Sequence, residues 1–241
     1  MSKDVNYYDR DLLSHSKLKK LSVSYNEFMN PFEKKVSEAL IMGSLMDEGL
    51  LEPDLYNKRK VSEYNLKQKG YEKHYLEADS HKYDIPKNVA PKIKTGLQIV
   101  KNHPLYYLLE GDVQTEIFET LNGESCKSKL DVLNLNKSRI IDFKTTSKDI
   151  SNINPYYWVR NWFYHTQLAF YRQMVNKCYS VNIEECILFV YSWSNEDVRV
   201  FQLSDETLQE ADKIIDGWFD KLGSIKIDGA FKGMSDEIEI I

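Results

Sequence analysis

Residues 127–146 read KSKLDVLNLNKSRIIDFKTT, and the fold turns on how this stretch is read. Its second half, Arg139 to Thr146, is an apolar run interrupted by an acid and, two places on, a lysine. In a strand the side chains alternate, so Ile140, Asp142 and Lys144 share one face while Ile141, Phe143 and Thr145 share the other. Burying a carboxylate and an ammonium together in a sheet is costly unless the pair has a use. The first half predicts another strand, Ser128 to Leu135, with Asp131 on the side of Lys129 and Leu133. NLNKS (134–138) supplies the turn between the two strands.

Working outward, Val113 to Thr120 predicts a strand before these two, joined by the turn NGES (122–125), so the three form an antiparallel meander. A helix from about Asn161 to Cys178 follows, then strands at Glu185–Trp193 and Val198–Leu203. A last helix over Asp205–Leu222 is capped by Ser204. Upstream, SHSKLKKLSVSYNEFM predicts a short helix, and two more span Pro31–Met46 and Pro86–Asn102, the last closed by Pro104. The expectation is an α+β fold: a central mixed sheet, containing an antiparallel meander, flanked by helices. It forms one domain over residues 1–241, with a helical front part (1–110), a core (111–203), a helix (204–223) and a tail (224–241).

Composition frames what such a fold can do. With 241 residues, 42% of them apolar, the chain can bury a full core. No apolar run approaches the ~20 residues of a membrane span, and MSKDVNYYDRDLL lacks the apolar stretch of a signal peptide. Three scattered cysteines (Cys126, Cys178, Cys186) without CxxC spacing argue against a disulfide framework or zinc site. The expected address is cytoplasmic. The net charge of −5 excludes a protein coated uniformly for nucleic acid. Its distribution is uneven: residues 1–150 hold 24 Lys+Arg against 23 Asp+Glu, and residues 151–241 hold 8 against 14. Basic clusters at Lys17/Lys19/Lys20, Lys34/Lys35, Lys58/Arg59/Lys60 and Lys127/Lys129 allow a local basic groove, or simply a solvated surface.

The acids can be placed on this scaffold. If the two strands pair across NLNKS, Asp131 and Asp142 meet at one end of the sheet, where their repulsion raises one pKa or demands a cation. A hard divalent ion with oxygen ligands, magnesium or manganese, answers that demand. Glu116, in VQTEIFE, offers a third carboxylate. Lys144 is placed to orient a water or to stabilise charge developing on a phosphate. Each piece alone has an ordinary reading: D-x-K on an edge strand facing solvent, or Asp131 as a surface acid near a turn. The joint pattern, an acid, ten residues, then D-x-K on the next strand, is more specific.

With HTQLAFY (165–171) added, the pattern resembles the PD-(D/E)XK nuclease superfamily, in the branch of the RecB and lambda exonucleases. Gln167 and Tyr171 match that branch's Q-x-x-x-Y signature. SHSKLKKLSVSYNEF, ALIMGSLMDEGLLEPD and IPKNVAPKIKTGLQIVKNHPLYYLLEG are similar to the front segments of RecE-type (exonuclease VIII) phage nucleases, so the resemblance covers roughly residues 12–203. One departure is plain: the branch's G-x-x-x-H becomes GSLMD, with Asp47 in place of histidine. The resemblance implies Asp131 and Asp142 as metal ligands with the Phe143 carbonyl, and Asp47 able to reach the metal. Glu116 would be a further ligand or a water-positioning base, and Lys144 would activate water and stabilise the phosphorane. Gln167 and Tyr171 would brace the site or contact DNA, and Lys129 would contact DNA. It also implies a Mg2+-dependent exonuclease, with Mn2+ able to substitute, acting 5′ to 3′ on linear duplex DNA in phage-type recombination. A homo-oligomeric ring and a single-strand annealing partner would accompany it. NPYYWVRNWFY (154–164) offers aromatics to stack on a strand end or to cap the core. Two other functions stay open: a site- or structure-specific endonuclease on the same fold, and a DNA-binding module without catalysis.

Overall fold

The computed structural model describes residues 7–29, 37–62, 65 and 85–228. Five strands form one sheet in the order β1 (Asp112–Leu121), β2 (Glu124–Asn134), β3 (Arg139–Thr146), β4 (Glu185–Ser192) and β5 (Asp197–Gln202). β1–β2, β2–β3 and β4–β5 are antiparallel, while β3 and β4 run parallel, so the expected mixed sheet with its meander is present. A parallel pair needs a crossover. Here it is made by α6 (Pro155–Asn161) and α7 (Tyr164–Tyr179). β4 is buried along nearly its whole length, as its apolar run CILFVY demands.

Helices cover both faces. α7 and α8 (Asp205–Asp228) pack Leu168, Phe170, Met174, Ile215 and Trp218 on Ile117, Leu130, Ile140 and Leu188. The other face is covered by α3 (Glu38–Leu51) and α5 (Ala90–Asn102), whose Met46, Ile93 and Val100 meet Ile141, Phe143, Phe189 and Tyr191. A Cβ on Gly43 of α3 would stand 3.3 Å from Thr145 Oγ1, so the missing side chain lets α3 lie close on β3 beside Lys144. The short helices α1 (His15–Leu18), α2 (Tyr25–Met29) and α4 (Pro53–Tyr56) fill the periphery. Ser204 accepts from the Thr207 amide at 3.3 Å, the cap expected at the start of α8.

Four expectations need correction. The helix expected over Asn161–Cys178 is two: Asn154 caps α6 with Pro155 in its first turn, and Phe163, at φ 59°, breaks the chain before α7 starts. The segment SHSKLKKLSVSYNEFM is likewise divided, by a tight turn over Lys19–Ser22. Asp131 does not share a side with Leu133. Leu130 packs against α7 and α8, Val132 against α3 and α5, and Leu133 again on the α7 side, so strict alternation fails around Asp131. The last helix runs on to Asp228, past its expected end at Leu222 and into the expected tail; part of the helix expected over Pro31–Met46, the clusters' Lys34 and Lys35, and residues 229–241 of the tail fall outside the described residues.

The reason for the break lies in how β2 is paired. It bonds β1 along its length, but β3 only at Val132↔Ile141, Leu133↔Ile140 and Asn134↔Arg139. Beyond that the two strands diverge. Further along the same edge the N-terminal segment takes over: Leu13 donates to the Ser125 carbonyl at 3.1 Å and accepts from the Lys127 amide at 2.7 Å. Between these two partners, at Asp131, β2 has an opening. The β1–β2 ladder also skips the Gln114/Asp131 pair, and Gln114 sits at φ 51°.

Phe170, fully buried where α7 crosses the sheet, anchors the face that carries Gln167 and Tyr171. Phe170→Ala is expected to cost about 3–5 kcal/mol, read as a lowered urea midpoint; a loss below about 1 kcal/mol would show that this face does not hold the sheet.

Candidate active site

The opening between β2 and β3 is where the acids gather. Asp131 Oδ2 accepts the Phe143 N–H at 2.8 Å, so a side chain replaces the ladder bond that strand divergence removes. Asp142, 1% exposed, points from β3 toward α7. Its Oδ1 accepts from Gln167 Nε2 at 3.2 Å, and Gln167 also donates to Tyr171 Oη at 2.8 Å. The four-residue spacing on α7 that puts Gln167 and Tyr171 on one face therefore has a visible use. Lys144 Nζ lies 2.6 Å from Asp142 Oδ2, and this oxygen is otherwise buried without a hydrogen bond. Lys144 Nζ also sits 5.6 Å from the centre of the Tyr164 ring, a cation–π distance. Asp47, from α3, accepts from Gln114 Nε2 at 3.2 Å through Oδ2, while its Oδ1 is buried and unpartnered. Asp47, Asp131, Phe143 and Lys144 line a depression of about 300 Å³ between α3 and β3. A second groove of about 310 Å³, lined by Tyr8, Lys19, Trp162, Tyr164, Gln167 and Tyr171, opens on the α7 side.

The electrostatics are those of acids lacking enough positive charge. Burial, then the charges of Asp142 and Asp47, drives Asp131 well above the ordinary carboxylate range. Asp142 is raised too, by burial, against the opposing pull of Lys144. Asp47 is pushed up to about 6: burial is the main cause, Lys144 opposes it, and Asp142 and Glu52 add to it. Burial by itself would drive Lys144 toward neutrality, yet Asp142 and Asp131 outweigh it and hold the ammonium charged above its usual range. Tyr171 is raised by burial and by Asp142, so it stays a neutral phenol.

Not every expected residue joins this cluster. Glu116 is exposed, stands opposite Lys129 across the β1–β2 ladder and raises the pKa of Tyr7, itself pushed up to about 12 chiefly by burial. Lys129 lies beside Glu116, its Nζ 6.0 Å from the Tyr8 ring. The basic clusters are partly consumed by structure. Lys127 donates to the Tyr7 and Arg10 carbonyls, Lys17 pairs with Asp11, and Arg59 forms a two-pronged bond with the buried Glu48. His15 and His165 are buried against Thr166 and the Val159 carbonyl and stand apart from the acids. Sequence reading missed Gln114 and Tyr164. Nothing in a lone glutamine announces a left-handed backbone, and Tyr164 was one aromatic among many.

An acid on one strand and D-x-K on the next, beneath a helix carrying Gln and Tyr, on a mixed sheet with helices on both faces, define a protein of the PD-(D/E)XK class. The chain belongs to the family described as "PDDEXK-like domain of unknown function" (DUF3799), matched over residues 14–241. Its fold is similar to that of a protein from Eubacterium rectale described as "Putative exonuclease", at 18% identity and TM-score 0.69 over 98% of this chain and 91% of that one. A phage-related exonuclease from Haemophilus somnus is matched at 15% identity over 88% of this chain and 94% of that one, at a TM-score of 0.35 that carries no weight. No curated protein matches the chain.

Whether these residues suit a divalent cation can be judged from the oxygens. Among the described residues no three His, Cys, Asp or Glu side chains are gathered into a metal-binding group as they stand. The causes are visible: Asp131 Oδ2 is engaged by a backbone amide and Asp142 Oδ2 by Lys144. The donor chemistry fits nonetheless. Asp47 Oδ1 is buried without a hydrogen bond, Asp142 Oδ2 is met only by the Lys144 ammonium, and after burial the charges of Asp142 and Asp47 raise Asp131.

A carboxyl whose folded pKa is raised is stabilising when protonated, so its contribution is full below the unfolded pKa and is lost as pH rises through the folded value. For Asp47 that window runs from 3.8 to about 6. With a chelator present, the chain should lose stability across this window, and Asp47→Asn should recover on the order of 2 kcal/mol at pH 8. Urea midpoints at pH 5 and pH 8 check this; parallel pH dependences for the two proteins would contradict it.

Proposed function

We propose that the protein is a divalent-metal-dependent deoxyribonuclease that hydrolyses phosphodiester bonds of linear duplex DNA, working from the ends in the 5′ to 3′ direction. The observation that carries this reading is the gathering of Asp131, Asp142 and Lys144 at the opening between β2 and β3, with Gln167 bonded to Asp142. A half-buried ammonium held against a buried carboxylate is a device for meeting negative charge that develops on a phosphate.

Asp131 and Asp142 would hold the cation with the Phe143 carbonyl, and Asp47 would add a further oxygen. A bound Mg2+ or Mn2+ supplies a Lewis acid for a phosphate oxygen and a lowered pKa for water. The remaining work belongs to the chain. Lys144, held charged by Asp142 and Asp131, donates to a non-bridging oxygen and stabilises the phosphorane. The raised lysine pKa thus favours the charge-stabilising half of the role expected for it. Gln167 fixes Asp142 through Oδ1 and is itself braced by Tyr171, which limits how far the carboxylate can swing. Water gives a proton to the surrounding solvent as its oxygen forms the new P–O bond, the bond to the leaving deoxyribose oxygen breaks, and that oxygen leaves with a proton from solvent. The groove lined by Trp162, Tyr8 and Lys19 leads to Gln167 and Tyr171 and suits a strand that brings bases to stack and phosphates to neutralise. Glu116 and Lys129, paired across β1 and β2, are better placed to contact DNA along its flank than to reach the reacting phosphate.

With Mg2+ present, end-labelled linear duplex should be degraded and covalently closed plasmid left intact. Lys144→Ala should lower the rate about 10²–10³-fold while DNA binding, followed by fluorescence anisotropy, is largely kept. Equal rates in the two proteins would refute the role of Lys144, and cutting of the plasmid would replace the exonuclease by an endonuclease.

A further inference from the structure

We propose that Gln114 is a positioning residue: its amide fixes one oxygen of Asp47 so that the other faces the cation site, and the pair turns that site into an all-oxygen one. The inference rests on the metal-dependent reading above. Three independent features meet at this point. Gln114 Nε2 donates to Asp47 Oδ2 at 3.2 Å. Asp47 Oδ1 is then left buried with no hydrogen-bond partner, beside Asp131, Phe143 and Lys144 in the depression between α3 and β3. Gln114 itself adopts φ 51° in the middle of a strand, where the ladder pairs Val113↔Val132 and Thr115↔Leu130 but not Gln114 with Asp131.

A left-handed conformation at a non-glycine residue is unfavourable and persists only where something requires it. The strand gains no backbone pairing here. What it gains is reach, for the only interaction of the Gln114 side chain described is with Asp47, 67 residues earlier in the chain. The kink also faces Asp131, whose carboxylate completes the broken β2–β3 ladder. One irregularity thus serves two acids.

The chemical consequence follows from the donor that Asp47 provides. Where the resembling branch has an imidazole on this helix, this chain has a carboxylate. With Asp131, Asp142, the Phe143 carbonyl and Asp47, every donor is oxygen, a set that suits Mg2+ and Mn2+ and gives no particular advantage to ions preferring nitrogen, such as Co2+ and Zn2+. A carboxylate, unlike an imidazole, has two equivalent oxygens and can turn. A second-sphere donor that selects one of them is therefore needed, and loss of such a donor commonly weakens metal binding 10- to 100-fold.

The test uses Mn2+ binding to the full chain, followed by calorimetry and by the paramagnetic resonance of the ion, with no substrate present. Gln114→Gly removes the amide and relieves the backbone. The expected result is an unchanged or higher metal-free thermal midpoint together with Mn2+ affinity reduced about 10- to 100-fold. Gln114→Asn, with a shorter amide, should fall in the same direction. Asp47→His should shift the ratio of Co2+ to Mn2+ affinity toward Co2+ by about 10-fold or more. Mn2+ affinity within two-fold of the parent in Gln114→Gly would overturn the positioning role, as would a lowered metal-free midpoint with unchanged affinity, the mark of a merely structural residue. An unchanged Co2+ to Mn2+ ratio in Asp47→His would overturn the all-oxygen site. Failure of the parent protein itself to bind Mn2+ would instead remove the metal-dependent reading, and this inference with it.

Discussion

The bond from the Phe143 amide to the Asp131 carboxylate is the constraint on which the site depends. β2 and β3 leave the turn as ordinary partners and separate after three residue pairs. A sheet that splays in this way exposes backbone donors to a buried region, which is expensive unless a side chain answers them. Asp131 answers one of them, and in doing so is drawn into the split, facing Asp47 and close to Asp142. Strand geometry and acid placement are thus a single problem solved once. A longer β2–β3 ladder would have closed the opening and buried nothing but apolar residues.

The charge balance inside the opening explains why so many of its groups are perturbed together. Three carboxylates and one ammonium lie between the face of α3 carrying Leu40, Gly43 and Ser44 and the face of α7 carrying Gln167. One lysine cannot neutralise three acids, so part of the burden falls on protonation. Stability is spent here in a way that a core of leucines would avoid. Arrangements of this kind are concentrated where proteins bind ions or perform chemistry, which is why the cluster weighs more in a functional reading than any one of its residues.

Much of this was legible in the chain, and the failures have specific causes. β3 runs over the residues its period-two pattern marked, Arg139 to Thr146, because a turn rich in Asn and Ser precedes it and residues 140–143 are buried on both faces. Gln167 and Tyr171 fall on one helical face because four residues make about one turn. By contrast, the split of α6 from α7 depends on a left-handed Phe163, and aromatic residues give no warning of that conformation. Glu116 was offered as a third carboxylate on its acid character alone; the regular β1–β2 register sets it opposite Lys129, exposed and away from the opening between β2 and β3. The lysine clusters misled for another reason. Charge counting cannot distinguish a lysine in solvent from Lys127, whose ammonium is spent on two carbonyls of the N-terminal segment.

That segment has a further role. From Tyr7 to Leu13 the chain lies against β2 where β3 has departed, with the Leu13 amide and carbonyl bonded to β2 and Lys127 tying the preceding turn in place. It behaves as a detachable selvage on a cut cloth. A shortened chain beginning after Ser14 would strip the Lys127 amide and the Ser125 carbonyl of β2 of these partners, leaving an open edge of the kind that invites edge-to-edge association with a neighbouring molecule. Residues 7–13 thereby act as a cover for an edge that the departure of β3 leaves open.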